Sequence, residues 1–176
     1  MRRPTDASLI RAFMRAIGPE ATEETRLYFT GGVTAVLYGW RSSTIDLDLR
    51  FIPEQDSLFR AIPKLKETLN VNVELASPSD FIPEVPGWQG RSQYIGREGT
   101  VSFYHYDFYA QALSKLERGH VKDLEDVRQM MAHGLVRPKK AVELFERIEP
   151  QLFRYPAIDP PSFRARVTSM FAGPTH

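Results

Sequence analysis

Residues 45–51, IDLDLRF, alternate apolar and charged side chains at every position. A period of two belongs to an extended strand with one dry face and one face that is wet or occupied. Ile45, Leu47, Leu49 and Phe51 fall on one side, and Asp46, Asp48 and Arg50 on the other. Such a strand needs a hydrophobic layer beneath it and something above it that tolerates two carboxylates. The stretch VNVEL (71–75) repeats the pattern, setting Val71, Val73 and Leu75 against Asn72 and Glu74. RLYFT (26–30) is short and aromatic and is stopped by Gly31-Gly32, which suits a buried strand. Residues 91–97 and 100–107 read as two more strands around a turn spanning Gly96 to Gly99.

Helical spacing fills the intervals. Asp6 is placed to cap a helix carrying Leu9, Ile10, Phe13, Met14 and Ile17 and ended by Gly18. Further helices are predicted over 33–40, 55–69 with Pro63 as a kink or late start, 109–117, 121–133 and 138–147. Residues 76–90 hold three prolines and two glycines and read as a long loop. The predicted fold is α+β, a mixed sheet flanked by helices with a helical C-terminal part. The expected organisation is a core over 1–108 and a helical part over 109–176 packed on it as one compact unit, which suits a chain of 176 residues.

Charge and cysteine content remove several classes of function. A net charge of +1 gives no global field for nucleic acid or an anionic membrane, so any anion site is local. With no cysteine there are no disulfides, thiolate zinc sites or cysteine nucleophiles. The expected setting is reducing and cytoplasmic. Arg11 and Arg15 interrupt the first apolar stretch, so it lacks the continuous core expected of a signal peptide, and no apolar run is long enough to span a bilayer.

On a strand, Asp46 and Asp48 share a face with Cα atoms roughly 6.5 to 7 Å apart, a gap over which two carboxylates can hold divalent metal. The plain alternative is a wet edge strand with Arg50 paired to one of them. Glu74 joins them if its strand is the neighbour, and is otherwise a solvated residue. Three acids backed by apolar faces suit a hard cation, with Mg2+ the default and Mn2+ its substitute. Gly31 and Gly32, between a strand and a helix, permit close approach of a phosphate or simply make a turn. Arg41, Ser42, Ser43 and Thr44 follow directly, so turn, donors and carboxylates occur within a short stretch.

The order Gly31-Gly32, then Asp46-Leu47-Asp48, then a later acid on an apolar strand resembles the nucleotidyltransferase superfamily of the polymerase-beta fold. More closely, GGVTAVLYGWRSSTIDLDL with KLERGHVKDLEDV (115–127) resembles small bacterial nucleotidyltransferase-like proteins related to AbiEii-type toxins, over about residues 26–130. The resemblance implies that Asp46, Asp48 and Glu74 are metal and catalytic carboxylates. It also implies that Gly31 and Gly32 approach the phosphates of an NTP, and that Arg41 with Ser43 or Thr44 binds them. Lys115 falls where those relatives carry a lysine after the sheet, for a phosphate or the attacking group; a helix-surface lysine paired with an acid is the equal alternative. Asp123 and Asp126 match a later K-D-x-x-D motif in a supporting role. The implied activity is transfer of a nucleotidyl group to a protein, tRNA or small-molecule acceptor, as the toxin of a toxin-antitoxin pair with a cognate antitoxin. An inactive nucleotide-binding or interaction module on the same fold is the competing reading. Gly32 departs from many relatives, which carry serine there.

Other chemistries fit less well. The histidines lack metal-ligand spacing and no serine sits in a glycine elbow. A haloacid-dehalogenase-type phosphatase is set aside because Leu49-Arg50-Phe51 continues as strand where a nucleophile loop belongs.

Overall fold

The computed structural model describes residues 3–172 and divides them into two compact units, one running to Ser77 and resuming over Ser92–Tyr106, the other formed by Pro78–Arg91 and the chain from Asp107. The proline-bearing segment read as a loop between strands thus folds with the C-terminal helices. It contains a 3-10 turn at Pro78–Asp80 and a short helix at Trp88–Arg91.

In the first unit, α1 (Ala7–Ile17) starts at Asp6, whose carboxylate accepts from the Leu9 N–H at 2.9 Å. Its Leu9, Ile10, Phe13, Met14 and Ile17 are all buried, each stabilising the unit by roughly 1.5–3 kcal/mol on area grounds. Then come β1 (Thr25–Thr30), α2 (Gly32–Tyr38), β2 (Asp46–Ile52), α3 (Asp56–Thr68) and β3 (Asn72–Leu75). β4 (Gln93–Glu98) and β5 (Val101–His105) complete the unit.

The five strands form one mixed sheet in the order β3-β2-β1-β5-β4. β1 is antiparallel to β2 and parallel to β5, β2 is parallel to β3, and β4 is antiparallel to β5. One sheet face supplies Leu27, Phe29, Leu47, Leu49, Phe51 and Phe103 to a core shared with the buried sides of α1 and α3. The alternation of β2 is realised from Leu47 onward. Ile45 departs from it: the strand begins at Asp46, so Ile45 lies outside the pleat and is 71% exposed. Leu75, at the end of the edge strand β3, is likewise 54% exposed. Gly96, predicted in a turn, lies within β4, where the ladder slips between Tyr94 and Gly96.

The second unit adds α4 (Trp88–Arg91), α5 (Phe108–Arg118), α6 (Val121–Ala132), α7 (Pro138–Ile148) and α8 (Pro160–Ala172). Asp107 caps α5 and also receives a two-pronged hydrogen bond from Arg91, at 3.1 and 2.7 Å. Phe145 of α7 and Phe163 of α8 meet edge to face at 4.9 Å. No helix among the described residues is long and apolar enough to cross a membrane.

Candidate functional site

The register of the sheet sets the acids. Asp46 lies opposite Asn72 and Asp48 opposite Glu74 across the parallel β2–β3 pair, while Thr30, the last residue of β1, lies opposite Asp48 on the other side. Asp46, Asp48 and Arg50 occupy the face turned away from the apolar core, half-buried, and Glu74 is exposed. The adjacency on which a role for Glu74 depends is therefore present.

Asn72 stands among these carboxylates. Its Nδ2 donates to Asp46 Oδ1 at 2.6 Å and to Glu74 Oε1 at 3.3 Å. An amide with two N–H donors can serve two acceptors at once, so Asn72 partly satisfies carboxylates that would otherwise repel one another. The sequence pattern placed Asn72 beside Glu74 on one strand face; strand adjacency was the missing fact that would have made it a site residue.

The turn before α2 approaches the same point. Gly31 has φ +67° and ψ −132°, and a Cβ built there would lie 2.9 Å from Asp48 Oδ2. A side chain would be strained by the backbone and would press on the carboxylate. Gly32 is required for a different reason, since its Cβ would fall 2.0 Å from Thr44 Oγ1 and 2.6 Å from Thr44 Cβ. The Thr44 side chain thus fills the volume that a serine at 32 would use. Thr44 itself is fixed by mutual backbone hydrogen bonds with Thr5, at 2.7 and 2.9 Å, and its hydroxyl donates to the Asp46 carbonyl at 3.3 Å.

Between turn and strand, α2 ends at Gly39 in the left-handed region, and the N–H groups of Gly39, Trp40 and Arg41 all return to the Ala35 carbonyl. This ties down the start of the segment that bears Arg41, Ser42, Ser43 and Thr44. Arg41 and Ser43 are half-buried and Ser42 is exposed. α2 has only seven residues, so its dipole is a small contribution; the close approach of the Gly31 backbone to Asp48 is the more consequential feature.

Behind the turn lies a buried histidine. His105, at the end of β5, meets Thr34 Oγ1 of α2 through Nδ1 at 3.1 Å and packs its ring 5.0 Å from that of Tyr38. Tyr38 in turn donates to the Gln93 side-chain oxygen. Burial pushes the His105 pKa down to about 4, so the ring is neutral near pH 7. Burial likewise raises that of Tyr38.

Lys115 belongs to the second unit. Its Nζ is 2.8 Å from Asp126 and 3.7 Å from Asp123, and all three side chains are buried. Arg118 donates twice to Asp123, at 2.8 and 2.6 Å. Burial acts to raise the Asp123 pKa, but the Arg118 hydrogen bonds and the charges of Arg118 and Lys115 override it and hold that pKa below the ordinary value. The acids of the K-D-x-x-D motif therefore pair with Lys115 and Arg118 of α5, and Lys122 is exposed.

The donor set on β2 and β3 consists of hard oxygens. Among the described residues, no three His, Cys, Asp or Glu side chains close on one point as a protein-only metal cage would. Two strand carboxylates with a third acid alongside suit a cation that keeps waters and takes further ligands from a phosphate, as Mg2+ does.

A mixed sheet with a Gly-Gly turn close to the second acid of an Asp-x-Asp strand, and another acid on the next parallel strand, fits a nucleotidyltransferase-type domain. The chain belongs to the family described as a nucleotidyltransferase of unknown function (DUF6036), which matches residues 9–146. Neither a curated protein nor a solved structure matches the chain.

Proposed function

We propose that this protein transfers a nucleotidyl group from an NTP to an acceptor hydroxyl with the help of a divalent cation. The observation that carries this reading is the alignment of Asp48 with Glu74 on adjacent parallel strands, with Asp48 Oδ2 only 2.9 Å from where a Cβ on Gly31 would lie. Family membership supports the transferase class.

In this reading Asp46 and Asp48 hold Mg2+, or Mn2+ in its place. When bound, the cation neutralises triphosphate oxygens and favours departure of pyrophosphate. Gly31 and Gly32 let phosphate oxygens approach the backbone, and Arg41 with Ser43 or Thr44 supplies charge and donors. The acceptor oxygen attacks the α-phosphorus in line, the bond from that phosphorus to the α–β bridging oxygen breaks, and the proton of the acceptor passes toward Glu74. Catalysis then rests on positioning and charge stabilisation. Lys115, buried against Asp126 and Asp123, holds α5 to α6 in this account. The resemblance to AbiEii-type proteins extends the reading to a toxin kept in check by a cognate antitoxin, with protein, tRNA or a small molecule as the acceptor class.

One observation favours the competing reading of a nucleotide-binding or interaction module without turnover: the acids do not converge as a group of three among the described residues. Pyrophosphate release separates the two. With Mg2+, each NTP and a cell-extract acceptor pool, the wild type is expected to release pyrophosphate and to incorporate α-phosphate label. Asp46→Asn should lower the rate by at least about 100-fold, the scale on which loss of transition-state charge stabilisation acts. Binding of an NTP with no release would favour the module.

A further inference from the structure

Asn72 has no part in the catalytic roles assigned above, yet it makes a short contact within the carboxylate group. Its Nδ2 is 2.6 Å from Asp46 Oδ1, at the short end for an amide-to-oxygen hydrogen bond, as suits an acceptor that carries charge. The same nitrogen reaches Glu74 Oε1 at 3.3 Å. Backbone pairing fixes this contact: Asn72 is directly opposite Asp46 in the β2–β3 register, and Val71 and Val73 on either side of it are buried.

A carboxylate oxygen has two lone-pair directions, and an N–H on one leaves the other and the second oxygen for a ligand. A hydrogen bond from an outer group is also how proteins commonly orient a carboxylate toward a metal. We propose that Asn72 is a positioning residue: its amide orients the Asp46 carboxylate for a divalent cation and, by donating to both Asp46 and Glu74, offsets the repulsion between them. This inference rests on the cation-binding role assigned to Asp46 and Asp48. It adds that the affinity of the pair is set by a neutral neighbour on the next strand.

The test is titration of the full-length protein with Mn2+ alone, reading free Mn2+ by electron paramagnetic resonance, on the wild type, Asn72→Ala, Asn72→Leu and Asn72→Gln. Loss of the donor in the Ala and Leu variants is expected to weaken Mn2+ binding by about 10- to 100-fold. The Gln variant keeps an amide donor and should recover most of that loss. Because Asn72 is half-exposed, the melting temperature without metal should stay within about 2 °C of wild type, a shift that a purely structural role would exceed. If the wild type binds Mn2+ and the Ala and Leu variants bind it equally well or more tightly, the positioning role is overturned while the metal site stands. If the wild type binds no Mn2+, the metal site itself fails and the role of Asn72 falls with it.

Discussion

His105 is a titratable residue whose state is set almost wholly by packing. It is 6% exposed, held between Thr34 and the Tyr38 ring, and its pKa is lowered to about 4 by burial. In the unfolded chain the imidazole titrates near 6.5, so between those values the unfolded state binds a proton that the folded state refuses. The contribution to stability is complete above pH 6.5 and is lost as pH falls toward 4. Urea unfolding at pH 7 and pH 4.5 should therefore show the wild type losing about 2 to 3 kcal/mol more than His105→Gln over that step. Equal pH dependence in the two proteins would contradict the burial account. The sequence bore half of this residue. Alternation through Val101, Phe103 and His105 places the imidazole on the core side of its strand, but Thr34 and Tyr38 as its partners come from a helix whose docking no local pattern encodes.

At the scale of elements, α5 and α6 are joined by charges rather than by apolar contact alone. Lys115 is 8% exposed and sits against Asp126 and Asp123, each 2% exposed. Removing one partner from a buried ion pair leaves the other desolvated and uncompensated, which costs about 3–5 kcal/mol. Lys115→Met should lower thermal stability on that scale, and Lys115→Met with Asp126→Leu should recover part of it because the stranded charge is gone. A Lys115→Met protein that melts like the wild type would argue against a structural role and return this lysine to the chemistry. The helices, and the Gly119 turn between them, were legible from apolar spacing and from a glycine at a helix end. The pairing was not, because sequence proximity points to Lys122 whereas the fold brings Lys115 and Arg118 back across the turn. α8 shows the opposite case: Phe163, Val167 and Phe171, each four residues from the next, are its buried residues, a sparse stripe that two prolines precede and two arginines interrupt. The strands were the most legible elements, since β2 and β3 each announce two faces. Their order in the sheet, on which the site depends, lies in long-range pairing that a single strand does not carry.

For the whole molecule, the first unit takes the chain to Ser77 and again over Ser92–Tyr106, and the second takes Pro78–Arg91 from the middle of the chain together with the residues from Asp107. Composition marks that segment as irregular without saying which unit it packs into, and Arg91, expected in a strand, caps the pairing of this segment by holding Asp107. Every phosphate or cation contact in the proposed function lies in the first unit. With a net charge of +1 over the whole chain, attraction for a nucleotide must arise locally, from Arg41, the Gly31 turn and a cation on Asp46 and Asp48. Calorimetric titration of the full-length protein with each NTP, with and without Mg2+, tests this most directly when set beside the Asp46→Ala, Asp48→Ala double variant. The account predicts binding that requires Mg2+ and is abolished in the double variant; binding that is unchanged in the variant, or absent for every NTP in the wild type, would contradict it.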